Sequence, residues 1–219
     1  VGFPCIYGFL GVELPPPPAA AGNKVTFAYF PIVGRGLQVH ILAAEHGVEL
    51  DVKVAKPFGE DFDKDTEAMF GTVPWMKDGE LELNDSMAMV QYLISKYPGP
   101  ATPATPEKAA AAGNIWGWCQ DYYGFVASPL HDIILGHSEP HWRNARLTDT
   151  LAEGGGGDDG KKAAVGKLKT LHDRRIGYLE AMLAKMGSPQ FVTGDDYSYA
   201  DIFLFTIVRA AQKCKGMQV

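Results

Sequence analysis

Hydrophobic positions along the chain change their period several times, and each change marks a different element. Residues 24–30, "KVTFAYF", gather β-branched and aromatic side chains in a short run that reads as a strand. "PIVGRG" punctuates it. Leu37, Ile41, Ala44 and Val48 then recur at helical spacing, and Gly47 ends the helix. "ELDVKVA" returns to a strand pattern, and the acidic "GEDFDKDTEAMF" that follows carries neither period and reads as mobile. "TVPWMK" and "ELEL" flank an Asp78-Gly79 turn, a strong hairpin signal. From Ser86, the residues Met87, Val90, Ile94 and Tyr97 mark a helix that stops at Pro98. The order is βαβ, an irregular stretch, then ββα. The first half implies a parallel pair with a helical crossover, and the second adds an antiparallel hairpin.

Beyond this point the helical period dominates. "GPATPATPEKAA" is a Pro/Ala/Thr-rich linker and a domain boundary belongs in it. Residues 106–127 and 161–186 read as long helices, the second carrying Leu168, Leu171, Leu179, Met182 and Met186. Between them "LAEGGGGDDGKK" is flexible by composition. A last helix begins near Ser198, where Ser198 and Asp201 form a capping box and Tyr197 is placed to staple onto Ile202. The expected organisation is an apolar, Pro-rich extension over 1–23, an α/β domain over 24–98, a linker over 99–105 and an all-α domain over 106–219. The extension holds a four-proline block that favours polyproline II. With no basic segment ahead of its apolar run it fits a signal peptide poorly, and it reads as a surface tail or a docking arm.

Bulk composition narrows the function. The 219 residues are 46% hydrophobic and 21% charged, which fits an ordinary globular protein with a sizeable core. A net charge of -6 without a Lys/Arg run argues against nucleic acid, because phosphate binding needs clustered cations. No apolar run is long enough for a membrane-spanning helix. Cys5, Cys119 and Cys214 are odd in number, far apart and in no CxxC pair, which suits a reducing compartment, the cytoplasm or an organelle interior. An organelle stays open because the first residue is Val, as a processed or incomplete chain would have. His131, His137 and His141 lack an i, i+4 frame, so no metal is expected. The Gly154–Gly157 run precedes no P-loop Lys-Ser/Thr.

One stretch resists a purely structural reading. In "GTVPWMKDGELELNDS", Pro74 interrupts a strand and Asp85-Ser86 opens a helix. By residue chemistry alone Pro74 fits an edge strand, and Asn84, Asp85 or Ser86 caps the helix. A βαβ-ββα unit with a proline opening its third strand, followed by an all-α domain, resembles the glutathione transferase family, most closely its tyrosine-using, sigma-like cytosolic classes. The resemblance is carried by "TFAYFPIVGRG", "FGTVPWMKDGELELNDSMAMVQYL" and "GDDYSYADIFLF", in order and at family-like spacing, over roughly residues 24–210.

The resemblance implies a thioredoxin-like N-terminal domain with a cis Val73–Pro74 bond, glutathione as co-substrate, small electrophiles as its reaction partners and a homodimer. It implies that Tyr29 is the catalytic tyrosine, that Arg35 supports it, and that the backbone at Val73 and Pro74 pairs with the glutathione peptide. Ser86 would hold the γ-glutamyl carboxylate at a helix N-terminus, with Asp85 facing the ligand's ammonium. Phe62 and Lys64 stand nearest to the family's ligand-contacting Trp and Lys. The chain departs from the family pattern at Val33, at Leu37-Gln38 and at Asp85, where Gln or Glu is usual. Its acidic 59–67 segment is expected to repel the ligand's glycine carboxylate. Family members continue further past the capping-box helix, so the all-α domain is expected to be truncated or incomplete at its C-terminus. These departures leave a second expectation open, a non-catalytic glutathione-transferase-like subunit that binds partner subunits within a larger assembly.

Overall fold

A computed structural model describes residues 24–127 and 157–213, which fall into two compact units. The first runs through Ala109 and includes Tyr197–Ile202; the second takes Ala110–Asp196 and the chain from Phe203. The linker expected at 99–105 therefore lies within the first unit. The extension over 1–23, the three expected loop histidines and Gly154–Gly156 lie outside the described residues.

The first unit is built on strands β1 (Lys24–Tyr29), β2 (Glu49–Val54), β3 (Trp75–Asp78) and β4 (Leu81–Leu83) in the order β2-β1-β3-β4. β1 pairs parallel with β2, with Tyr29 opposite Val54, and antiparallel with β3, with Ala28 opposite Trp75. The parallel pair requires a crossover, and α1 (Arg35–Glu45) supplies it. Gly47 reverses the chain at φ +69, a left-handed conformation that glycine adopts without a Cβ penalty. Antiparallel β3 and β4 need only two connecting residues. Gly79 takes φ +60 at the first of them and Glu80 an ordinary φ, the pattern of a II′ turn.

β1 is covered on both faces. Phe27 and Tyr29 face α1, where His40 stacks on Phe27 at 6.3 Å and Gly36 lies against the Tyr29 ring. Ala28 faces the other way, into a cluster of Ala55, Phe62 and Trp75. α3 (Ser86–Lys96) packs against α1 and buries Met89, Val90, Leu93 and Ile94. Its buried stripe runs one position away from part of the expected face. Met89 and Leu93 are fully enclosed, whereas Met87 and Tyr97 are only half-buried.

The hairpin is tied to α3 by one carboxylate oxygen. Asp78 Oδ2 accepts from Lys96 Nζ at 2.6 Å, Tyr97 Oη at 2.8 Å and Tyr92 Oη at 2.9 Å. Partial burial works against ionisation of Asp78. The bonds from Lys96 and the two phenols outweigh it and hold the carboxyl below its ordinary range.

The acidic stretch expected to be mobile is an ordered loop with one helical turn, α2 (Lys64–Glu67). Asp63 caps that turn, accepting from the Asp65 N–H at 3.1 Å, while the Asp63 N–H donates to Glu67 Oε1 at 2.7 Å. The loop is anchored because Phe62 is 3% exposed and packs on Trp75 at 4.8 Å between ring centroids.

The second unit contains most of α4 (Pro106–Tyr122), α5 (Gly157–Lys185) and α6 (Tyr199–Lys213), with a π-helical turn over Tyr123–Ala127. α5 begins at Gly157, four residues ahead of the expected start at 161. Within α5, Leu179 is buried as expected and Met186 is exposed, because the helix ends at Lys185. An unexpected polar contact lies inside this unit. Tyr122, fully enclosed, bonds His172 Nδ1 at 2.5 Å, and Trp118 stacks on Tyr122 at 5.4 Å. At the start of α6 the Ser198 N–H donates to Asp201 Oδ2 at 2.9 Å, and Ser198 Oγ accepts from the Ala200 N–H at 3.3 Å. Tyr197 also reaches back within the first unit, its hydroxyl donating to the Glu45 carboxylate at 2.7 Å.

Burial lowers the His40 pKa from 6.5 to about 4, so folded His40 stays neutral where the unfolded chain takes up a proton. Its contribution to stability is complete above pH 6.5 and is lost as pH falls toward 4. Between pH 7 and pH 5, His40 alone should lower the unfolding free energy by about 2 kcal/mol. Urea unfolding at both pH values checks this, and His40→Leu should remove that part of the pH dependence.

Candidate functional site

Three backbone features of the first unit converge around the end of β1. Tyr29 is the last residue of that strand, which ends one residue before the expected 24–30 run does. Its carbonyl accepts from the Ala55 N–H at 3.1 Å, its side chain is 6% exposed, and Phe27 and Phe30 flank its ring at 6.4 and 5.9 Å. The ring is therefore held, with little rotamer freedom.

The second feature is the start of α1. Gly34 is its N-cap and makes no side-chain capping bond, and the first turn carries no acidic residue. Arg35 is the first helical residue and is half-buried. A cation at a helix N-terminus adds to the positive end of the helix dipole instead of offsetting it. This end of α1, directly beside Tyr29, favours an anion.

The third feature joins two expected ligand-binding segments. Val73–Pro74 is a cis bond immediately before β3, as is Lys56–Pro57 after β2. Asn84 Nδ2 donates to the Thr72 carbonyl at 2.7 Å, which fastens the 72–74 turn to the residues that open α3. Asp85 is the N-cap of α3, its exposed carboxylate accepting from the Met87 and Ala88 N–H groups at 2.9 and 3.0 Å, both through Oδ1. Ser86 follows as the first helical residue and is 3% exposed. Of the three capping candidates the helix uses Asp85, while Asn84 ties the turn and Ser86 sits inside.

Phe30 and Val73 pack on the same cluster of Ala28, Ala55, Phe62 and Trp75, so the end of β1 and the 72–74 turn meet over one apolar base. Phe62 belongs to that base. Lys64 pairs with Asp65 Oδ1 at 2.5 Å. Lys56, just ahead of the acidic segment, pairs with Asp63 at 3.3 Å and Glu60 at 3.6 Å. The expected repulsion of a ligand carboxylate is reduced accordingly.

Two residues of this region, Phe58 and Gly36, escape a sequence reading, and Asn84 is read there only as a capping candidate. Phe58 stands 54% exposed with its edge on Phe30 at 5.4 Å. Gly36 and Asn84 matter through contacts with Tyr29 and Thr72 that no local pattern encodes. Among the described residues no group of His, Cys, Asp or Glu is arranged to hold a metal ion.

Comparison with known proteins gives a consistent result. No protein-family model matches the chain. Glutathione S-transferase Z1 of Arabidopsis thaliana is 38% identical over 177 residues, covering 80% of this chain and 71% of that protein. Glutathione S-transferase Z2 of the same plant is 28% identical over 156 residues, covering 70% of this chain but 60% of its own length. Among solved structures, the theta class glutathione S-transferase of Xanthomonas axonopodis pv. citri with glutathione bound superposes with a TM-score of 0.61 at 20% identity. The match covers 90% of this chain and 87% of that one.

Two substitutions test the architecture without any ligand. Asp85→Ala removes both capping bonds of α3 and should cost about 1 kcal/mol. Asn84→Ala leaves the Thr72 carbonyl without its partner and should cost about 1–2 kcal/mol. Thermal unfolding of the two variants measures both.

Proposed function

The chain belongs to the glutathione S-transferase family, and from that premise we propose that it joins glutathione to small electrophilic molecules. The observation that carries this reading is the Asn84–Thr72 bond, which holds the Val73–Pro74 turn and the α3 N-terminus side by side. A peptide ligand with an anionic end needs that pairing: backbone groups at the turn for its own backbone, and helix N–H groups for its carboxylate. Val73 and Pro74 supply the first and Ser86 the second. Asp85 caps through Oδ1, which leaves Oδ2 to meet the ligand's ammonium. Arg35 and the α1 N-terminus add positive potential.

A free thiol with a pKa near 8.5 is only a few per cent ionised at pH 7. In this reading Tyr29 donates a hydrogen bond to the sulfur and favours the thiolate. The thiolate then attacks an electrophilic carbon. With an aryl halide the C–S bond forms, the carbon–halogen bond breaks, halide leaves and the thiol proton passes to solvent. Phe30 and Phe58 offer apolar surface beside Tyr29 for such a substrate. Phe62 acts from beneath, as packing for Trp75, and Lys64 acts only through charge.

The protein works as a homodimer in this reading. Met69 and Phe70 are 62% and 69% exposed and adjacent, an apolar projection that a second copy would cover.

Glutathione should bind at submillimolar to millimolar concentration, and Tyr29→Phe should lower conjugation of an aryl halide at least tenfold. Absence of binding at millimolar glutathione would reject the enzyme reading in favour of a non-catalytic subunit. In sedimentation velocity the protein should run as a dimer, with Phe70→Ser shifted toward monomer.

A further inference from the structure

We propose that Gly36 is a positioning residue for Tyr29: its missing side chain makes the seat in which the Tyr29 ring is held. The proposal rests on the reading of Tyr29 given above. A Cβ built on Gly36 would lie 2.6 Å from Cδ2 of Tyr29 and nearer still to Cγ and Cδ1. Those atoms belong to the near side of the ring, and the backbone that carries them is pinned. Tyr29 pairs with Val54 in the sheet, and its carbonyl takes the Ala55 N–H. The ring cannot turn away at its far end alone. It must shift bodily, by about 1 Å, a displacement of the size that costs up to about a hundredfold when a reacting group is misplaced.

Backbone conformation does not explain this glycine. Gly36 is not among the glycines with positive φ, so an alanine could adopt its backbone angles. It is the second residue of an 11-residue helix, where glycine is a poor helix former. Three other helical glycines differ from it. A Cβ on Gly117, Gly166 or Gly177 would have nothing within 4 Å. Space for the Tyr29 ring is the feature that distinguishes position 36.

The start of α1 therefore does two things at once. It presents its positive end to the anion site, and it sets the plane of the Tyr29 ring through bare backbone. Errors in the seat should appear in the acidity of the bound thiol more than in glutathione affinity, because Val73, Pro74, Asp85 and Ser86 are not disturbed.

The test compares the full chain with Tyr29→Phe, Gly36→Ala, the double variant Tyr29→Phe/Gly36→Ala, and Gly177→Ala as an ordinary helical glycine. The readout is the thiol pKa of bound glutathione from its ultraviolet thiolate absorbance, with glutathione Kd and the unfolding temperature alongside. Gly36→Ala should raise the bound thiol pKa by about one unit, to near the Tyr29→Phe value, with Kd changed less than threefold. The double variant should match Tyr29→Phe, and Gly177→Ala should match the parent. An unchanged thiol pKa in Gly36→Ala overturns the proposal, as does a further rise in the double variant. If Tyr29→Phe itself leaves the pKa unchanged, it is the catalytic reading of Tyr29 that fails. Should Gly36→Ala not fold, Tyr29→Ala/Gly36→Ala must restore folding by removing the ring; failure to do so rejects the seat.

Discussion

In the first unit one side-chain bond joins two stretches that local folding would leave independent. Asn84 reaches across to the Thr72 carbonyl at 2.7 Å. One end of this bond is the turn ahead of β3, and the other is the residue just before the cap of α3. Without it the start of α3 and the Val73 turn would have no direct tie, and Val73 would be held by its packing on Ala28, Ala55, Phe62 and Trp75. With it they form one surface. Asp78 does the same at the far end of the hairpin, where three donors on one oxygen hold β3 to the last turn of α3. α3 is thereby tied at both ends, to the turn ahead of β3 by Asn84 and to β3 itself by Asp78.

The same economy runs through β1. Both of its faces are buried, so Tyr29 at its end inherits the rigidity of the whole sheet. One neighbour of Tyr29 is glycine backbone and another is the phenylalanine ring of Phe30. In the proposed role, a phenol that donates to a thiol gains from such confinement, because a fixed dipole is worth more than one that reorients. The neutral buried His40 beneath Phe27 belongs to the cost of this arrangement, since it trades stability at low pH for a close fit of α1 on β1.

How much of this was legible beforehand follows from where the determining forces act. Strand and helix order was readable because period, turn glycines and caps are local: Gly47, Gly79 and Ser198 all stand where the pattern put them. The α3 stripe includes Met89 and Leu93, which the helical period of Met87, Val90, Ile94 and Tyr97 leaves out, since period alone does not tell which side meets α1. The acidic 59–70 segment reads as mobile because carboxylates dominate it, yet it is anchored by Phe62. Burial of Phe62 depends on Ala28, Ala55 and Trp75 coming together from separate stretches, which no window of sequence reveals. Family motifs single out Tyr29, Arg35, Val73, Pro74, Asp85 and Ser86 as expected ligand contacts. Sequence offers Asn84 only as a capping candidate and leaves Gly36 unremarked, because each acts through a contact whose other partner is a separate stretch of chain.

The central claim is that the Val73–Pro74 turn and the opening of α3 form one binding surface for glutathione. Amide chemical shifts of the labelled protein, followed while glutathione is added, test it most directly. Saturable shifts concentrated at Val73, Ser86 and Met87, and weakened in Asn84→Ala, are the predicted result. Shifts absent at millimolar glutathione, or confined to residues outside the first unit, would contradict it.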